Sequence, residues 1–514
     1  MTTVSRPASQ QTASPRRAWF ALAILMLPVL LVSIDNTVLS FALPTITEEL
    51  KPDASTQLWM IDIYSLVLAS LLVTMGGLGD RFGRRRLLFI GACGFAVVSV
   101  IAAFSPTAEL LVAARAALGF FGAMLMPSTL ALIRNIFPDA DRRRLAIAIW
   151  AAAFAVGSSL GPILGGALLE VFPWGAVFLV AVPILIPLLV FGPFLIPESK
   201  DPHPGPLDIP SVVVSFLGML GIVYAIKTLA HDGFAEAALW MPAAVAGALG
   251  VVGVVWFVRR QLRSPHPLLD MRLFAHGPFT ASILANFLSI VALISFLFFV
   301  SQHLQLVLGL SPLVAGLVLL PGAVVSVVSG LAVVRLARRF RAESLLLVGL
   351  LLVAFGFGLA FLMRGDLSVA AIIITFGFLE LGIGLSQTLS NDIIVSSVPP
   401  AKAGAASAIS ETAYELGAVI GTATLGTVLT AFYRAQVEVP AGLTAEQTHA
   451  AGETLGGAVS VSQQLPDAIG AALLASAQHA FESGVGVLTA SATALTLVAA
   501  VVVWVVFRRQ RAEQ

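Results

Sequence analysis

The chain has 514 residues, 58% of them hydrophobic and only 11% charged, with a mean hydropathy of +0.96. A soluble chain carries about 25% charged residues, and at ~150 residues per domain this length would have to clothe about three domains in polar surface. That surface does not exist here, so the composition is that of an integral membrane protein. The 29 basic and 28 acidic side chains nearly cancel, leaving no bulk charge to attract nucleic acid. The single cysteine, Cys93, excludes an intramolecular disulfide or a cysteine-based zinc site. It reads as a small buried hydrophobe.

A bilayer-spanning helix needs about 20 mostly apolar residues. Fourteen stretches qualify in chain order: 18–43, 57–78, 87–106, 109–133, 144–170, 174–196, 210–230, 237–258, 279–303, 312–335, 344–363, 369–395, 403–431 and 484–507. The first contains Asp35, lacks a small-residue cleavage site and is too long for a signal-peptide core, so it reads as a retained span. With both termini in the cytoplasm, 24 of the 29 Lys and Arg fall in cytoplasmic tails and loops, as the positive-inside rule requires. A missed helix would scramble that alternation. The expected organisation is a cytoplasmic tail 1–17, a six-helix half 18–196, an inserted pair 197–258, a second half 259–507 and a tail 508–514.

One connection is long. Residues 432–483 fall outside the cell in this topology, and a loop of that length has structure of its own or is disordered. An amphipathic helix is expected from Pro466-Asp467 to about Phe481, with Ile469, Leu473 and Leu474 on one face, and a weaker one from Thr444 to about Gly456. Together they predict a short helical hairpin against the outer face.

Enzymatic signals are missing. None of the four lysines follows a glycine as a P-loop requires, and neither an H-E-x-x-H pair nor a G-x-S-x-G elbow occurs. No metal site, cofactor or ATP engine is expected. The sharpest string is Gly76-Gly-Leu-Gly-Asp80-Arg81-Phe-Gly83-Arg84-Arg85-Arg86, at the cytoplasmic junction of spans 2 and 3. It is a glycine-permitted turn that sets one carboxylate among guanidiniums, pairs that can latch neighbouring helices and break when they move. Arg115 lies inside span 4, in Leu111-Val-Ala-Ala-Arg115-Ala-Ala-Leu-Gly119. Span 5 carries Gly157-Ser-Ser-Leu-Gly161-Pro162-Ile-Leu-Gly165-Gly166, whose small residues allow close backbone approach while Pro162 bends the helix.

Acids are costly inside a bilayer and normally face the bundle interior. Of 28, only Asp35, Asp62, Glu380, Glu411 and Glu415 fall well inside the spans; Glu170 and Asp392 sit near span ends. Opposite them stand two intramembrane cations, Arg115 and Lys227. The pathway is therefore net acidic, which suits a cationic cargo and protons. Glu411 and Glu415 are four residues apart on one helix face. Two carboxyls so placed in low dielectric resist simultaneous ionisation, as proton exchange requires. Asp35, with Arg115 as its partner across spans 1 and 4, is the second coupling candidate. Asp62, Glu415 and Glu380 are candidate cation contacts, with Trp59, Tyr64 and Tyr414 close enough in sequence to offer ring faces.

The 76–86 string resembles, position for position, the signature loop of the major facilitator superfamily. The Arg115 segment resembles that superfamily's helix-4 motif, with Leu118 where a polar residue is usual, and the span-5 string resembles its antiporter motif. Ile34-Asp35-Asn36-Thr37-Val38 with Ala42-Leu-Pro44, Gln57-Leu-Trp59-Met-Ile-Asp62-Ile-Tyr64-Ser65 and Ser410-Glu411-Thr-Ala-Tyr414-Glu415-Leu-Gly417 are similar to the fourteen-helix drug:proton antiporters. That resemblance covers essentially the whole chain. It implies an all-α major facilitator fold, two six-helix halves plus two inserted helices. It also implies a bacterial cytoplasmic membrane protein, a monomer, that exports lipophilic cations, dyes, quaternary ammonium compounds and fluoroquinolones against protons by alternating access, driven by the proton gradient. Two other readings are export of an endogenous lipid or metabolite, and a membrane receptor or scaffold, which would not need five intramembrane acids.

Overall fold

The computed structural model describes residues 15–200, 208–232, 237–265, 267, 269, 271–397 and 403–513. Its elements are α1 (Pro15–Leu50), α2 (Ala54–Phe82), α3 (Arg84–Ala103), α4 (Ala108–Ile136), α5 (Ala140–Leu169), α6 (Ala176–Leu179), α7 (Ala181–Leu195), α8 (Ile209–Asp232), α9 (Ala237–Arg263), α10 (Gly277–Gln302), α11 (Pro312–Leu336), α12 (Ala342–Leu362), α13 (Val369–Ser396), α14 (Ala403–Gly421), α15 (Thr427–Gln436), α16 (Ala445–Glu453), α17 (Leu455–Ser462) and α18 (Asp467–Glu513). A π-helical turn, His303–Val307, extends α10, and another, Thr422–Gly426, joins α14 to α15. Among the described residues, fourteen helices are long and apolar enough to cross a membrane. The protein is a multi-pass membrane protein.

Side-chain caps start many of these helices, satisfying backbone N–H groups that have no partner within the helix. Asp53 accepts from Thr56 N, Thr107 from Leu110 N, Asp139 from Arg142 N and Ser368 from Ala371 N. The first seven helices pack around one apolar cluster and α10–α18 around another. The inserted pair α8–α9 packs mainly on itself, and α8 leans on α2. At its end, Arg260 grips Asp208 with both a 2.9 Å ion pair and a second nitrogen, which holds the Asp208 carboxyl below the usual carboxylate range.

The halves meet along a few lines. On α5, Gly157, Gly161 and Gly165 face α1, where a Cβ would overlap Ser33, Thr37 and Val38 in turn. Gly166 and Pro162 face the other way, onto Pro312–Gly316 at the start of α11. Three residues thus pack within one half while two bind the other. Further crossings join the same end of the bundle: Gln305 Nε2 donates to Phe41 O at 3.2 Å, and a Cβ at Gly426 would touch Leu58.

Three expectations need correction. The amphipathic helix does start at Asp467, but it does not stop near Phe481. It runs unbroken to Glu513 as α18, because Leu473, Ala477, Ala480, Phe481, Val485, Leu488 and Ala492 are all buried along one continuous seam. Ile469 is off that seam and 37% exposed. The remaining loop helices are α16, opened by a Thr444–Gln447 capping box, and α17. They are tied back to α15 by Tyr433, whose hydroxyl donates to Ala451 O and Thr454 O at 2.7 and 3.1 Å, and by an Arg434–Glu453 ion pair of 3.2 Å. The 432–483 connection is therefore a fixed cap whose Gly456 reaches Thr47 at the end of α1. Finally, Cys93 is exposed on α3, not buried. It shares the lipid-facing side with Ile90 and Val97, where a small apolar side chain is equally at home.

Replacing Gly161 by Leu forces α1 and α5 apart, an overpacking cost of about 1–3 kcal/mol. The denaturation midpoint in detergent should fall, whereas Gly377→Leu, with open space around it, should leave it unchanged. Equal midpoints would show that the α1–α5 contact is not tight.

Candidate functional site

The site is built first by a close helix crossing. Gly119 on α4 lies so near the Tyr64 carbonyl on α2 that no Cβ fits. One turn earlier on α4, Arg115 enters the bundle, 2% exposed. Its Nη1 lies 2.5 Å from Asp35 Oδ2 on α1, its Nε donates to Met60 O at 3.2 Å, and its guanidinium sits 4.3 Å over the Tyr64 ring. A planar cation with five donors can be buried only when its charge and its N–H groups are answered together. Here a carboxylate, a carbonyl and a π face supply the answers.

The second group hangs from α14. A Cβ at Gly417 or Gly421 would meet carbonyls of Phe287 and Val291, so α14 rests closely on α10 and turns Glu411, Tyr414 and Glu415 inward. Glu415 is fully buried; its Oε1 accepts from Asn36 Nδ2 on α1 at 3.2 Å. Glu415 lies within electrostatic reach of Asp35 and Arg115, and Tyr414 within reach of Glu411, Glu415 and Glu380. Glu380, 6% exposed on α13, shares a hydrogen bond with Ser326 of α11. The Tyr414 ring meets Phe154 edge-on at 5.3 Å, and Phe154 stacks on Trp150 at 6.3 Å. Trp150 is fixed by a 3.0 Å hydrogen bond from Nε1 to Thr129 Oγ1.

Seven sequence-chosen residues therefore share one centre: Asp35, Arg115, Tyr64, Glu415, Glu411, Tyr414 and Glu380. Asp62 is buried on α2, 1% exposed. Trp59 points elsewhere, into an apolar groove of about 600 Å³ shared with α8 and α9. Its place in sequence near Asp62 misled, because residues three apart on a helix still diverge by about 60°. The Lys227 side chain lies outside the described residues. Sequence reasoning missed Asn36, Phe154 and Trp150. Only Asn36 carried a signal, as an amide beside a buried acid; the α5 aromatics carry none among 32 phenylalanines and seven tryptophans.

The arginine loop forms a separate feature. Gly83 adopts φ +114° between α2 and α3, a conformation that glycine takes without strain. A Cβ there would strike the Glu198 carboxylate. Glu198, just past α7, accepts from Arg85 N at 3.0 Å and Arg86 N at 3.3 Å, capping α3 from outside. Arg84 Nη1 donates to Ser199 Oγ and Arg85 Nη1 to the Ile196 carbonyl, both at 3.0 Å. Arg81 is exposed, and a Cβ at Gly76 would make ordinary contact with Pro127. The Asp80 side chain lies outside the described residues. Sequence reasoning missed Glu198 because its partner loop is more than a hundred residues away.

A bundle with fourteen helices, among the described residues, long and apolar enough to cross a membrane, and with charged side chains buried at its centre, has the architecture of a membrane transporter. The chain belongs to the Major Facilitator Superfamily, whose sequence profile matches residues 25–422. It is 65% identical to the multidrug efflux pump LfrA of Mycolicibacterium smegmatis over 99% of this chain and 100% of that one. It is 37% identical to the methyl viologen resistance protein SmvA of Salmonella typhimurium over 95% of this chain and 98% of that one. Among solved structures, a bacterial homologue of the human lysosomal transporter Spinster, inward-facing and occupied, shares the fold. Its TM-score is 0.65 at 16% identity, covering 96% of this chain and 98% of that chain.

Truncating one partner of the buried ion pair strands the other charge. Arg115→Met should cost about 3–5 kcal/mol of stability, and adding Asp35→Asn should recover most of it. Denaturant titration in detergent checks this; a double variant no better than Arg115→Met would mean the pair is not coupled.

Proposed function

We propose that this chain is a multidrug exporter that moves lipophilic cations out of the cell in exchange for protons. The observation that carries the reading is the composition of the central site: carboxyls on α1, α13 and α14 beside the Trp150–Phe154–Tyr414 rings, with one buried guanidinium opposing them. Carboxylates attract a cation, ring faces hold an aromatic or alkylated one without a full water shell, and the same carboxyls can carry protons when the cation leaves. The LfrA and SmvA relatives, named for multidrug efflux and methyl viologen resistance, support the cargo class.

In this reading Glu411 and Asp35 exchange protons, Arg115 holds Asp35 ionised until the cycle parts them, and Glu415, Glu380, Asp62, Tyr414 and Tyr64 face the cargo. The halves touch where α5 meets α11 and α1 meets Gln305. With both termini cytoplasmic, that is the outer end, and Asn36–Glu415 adds a tie nearer the middle; we read the inner side as the open one. Arg84, Arg85 and the start of α3 bond to Ser199, the Ile196 carbonyl and Glu198 of the same half. We assign this arginine loop as a latch that gains partners on the other half, through Asp80, when the inner side closes. The proton gradient supplies the drive, and no cofactor is needed.

Proteoliposomes loaded with ethidium test the reading directly. An imposed pH gradient should drive ethidium movement in the wild type, and Glu411→Gln should lose most of it at normal protein levels. Wild-type rates in that variant would remove Glu411 from proton handling. Charge selectivity offers a second check. Coulomb attraction scales with ligand charge, so Glu415→Gln should weaken export of the dication methyl viologen more than that of monovalent ethidium. Equal losses would assign Glu415 to coupling or structure.

A further inference from the structure

Two neighbouring residues of α1 hold different partners. Asp35 reaches across to Arg115 on α4, within its own half. Asn36, partly exposed, turns toward the other half: its Nδ2 donates to Glu415 Oε1 at 3.2 Å, while its Oδ1 accepts from Ser65 Oγ at 3.4 Å. Glu415 is wholly buried, and its other oxygen, Oε2, has no hydrogen-bond partner among the described residues. The carboxyl is thus held by two neutral donors, Asn36 and Ser65, with Oε2 left without a hydrogen bond among the described residues. A buried carboxylate in that condition keeps a strong demand for a cation or a proton.

We infer that Asn36 is a positioning residue that holds Glu415 in the empty carrier, so that a cationic cargo must displace the amide to pair with the carboxylate, and in doing so frees a midplane tie between the halves. A neutral amide suits this task. It donates one hydrogen bond and brings no charge, so it steadies the carboxylate but yields to a full positive charge, whose hydrogen bonds and ion pairs are about twice as strong. Ser65 lies against both groups, 3.4 Å from Asn36 Oδ1 and in hydrogen-bond contact with Glu415, so it steadies the amide and the carboxyl together. Arg115 cannot substitute, because Asp35, Met60 and Tyr64 already engage its guanidinium. Cargo capture would then cost one α1–α14 hydrogen bond and leave the α1–α4 ion pair in place. The link that breaks lies between the halves, and the link that persists lies within one.

The inference rests on the reading of Glu415 as a cargo contact, and the test separates the two. Ethidium binding to purified protein in detergent is measured by fluorescence anisotropy, and transport kinetics in proteoliposomes, for Asn36→Ala, Asn36→Ser, Glu415→Gln and the Asn36→Ala/Glu415→Gln pair. Removing a competing hydrogen bond of about 0.5–1.5 kcal/mol should tighten ethidium binding roughly two- to twelvefold. KM should fall by a similar factor, while the maximal rate should fall or hold, because the gain is in the ground state alone. Asn36→Ser, too short to reach Glu415, should behave alike if the alanine variant folds poorly. In the Glu415→Gln background, Asn36→Ala should add nothing. A side chain that merely supports packing would weaken binding and slow transport together. If Glu415→Gln weakens binding but neither Asn36 variant tightens it, the positioning role is overturned and the cargo reading stands. If Glu415→Gln binds ethidium as the wild type does, both fall.

Discussion

An ionised group in the middle of a bilayer must find its counter-charge within the protein, and the Asp35–Arg115 pair is where this bundle meets that demand. The requirement reaches well beyond two side chains. To bring Nη1 within 2.5 Å of Oδ2, α4 has to lie almost on the backbone of α2, which is why position 119 admits no Cβ over the Tyr64 carbonyl. The same approach lets Met60 O and the Tyr64 ring complete the guanidinium's shell. Remove the charge pair and the reason for that crossing goes with it. Because α1 also carries Asn36, the geometry fixed by the pair sets where α1 meets Glu415 on α14.

Small residues then decide which surfaces are permanent and which exchange. On α5, Gly157, Gly161 and Gly165 repeat every fourth position, so they form one stripe along a single helix face, and α1 fills it. Gly166 and Pro162 fall on a different face and receive the start of α11. The first contact is long and lies within one half. The second is short, sits at one end and joins the halves. A carrier whose halves rock needs that distribution: extensive packing inside each body and limited, end-localised packing between them. The cap formed by α16 and α17 follows the same division, bound firmly to α15 through Tyr433 and Arg434 and touching Thr47 of α1 through Gly456.

At the opposite end the arginine loop is held by the chain that leaves α7. Glu198 accepts from two backbone N–H groups at the start of α3, a position where the helix dipole and the unsatisfied donors both favour an anion. Gly83 is what makes room for it. The guanidiniums of Arg84 and Arg85 are occupied with Ser199 and the Ile196 carbonyl. These contacts order the loop against the chain that leaves α7.

Much of this was legible from the residues alone. Hydropathy runs determine the fourteen spans, because a continuous apolar run in hydrocarbon satisfies its backbone within its own segment only as a helix. Four of the five intramembrane acids and one arginine in those runs mark the centre, since only an interior site tolerates them. Periodicity places Glu411 and Glu415 on one face. What the sequence could not supply is any contact between residues far apart in the chain. Asn36 and Glu415 are 379 residues apart, and Glu198 lies 113 from Arg85. The groove that takes Trp59 is built by α8 and α9, so helix spacing near Asp62 said nothing about it. The length of α18 had the same cause: the local pattern ends an amphipathic helix near Phe481, and only α15 and α12 packing against it extend the buried seam into one helix. Local patterns choose the helices and the face each one buries; which neighbour covers that face, and so which polar groups meet, belongs to the assembled bundle.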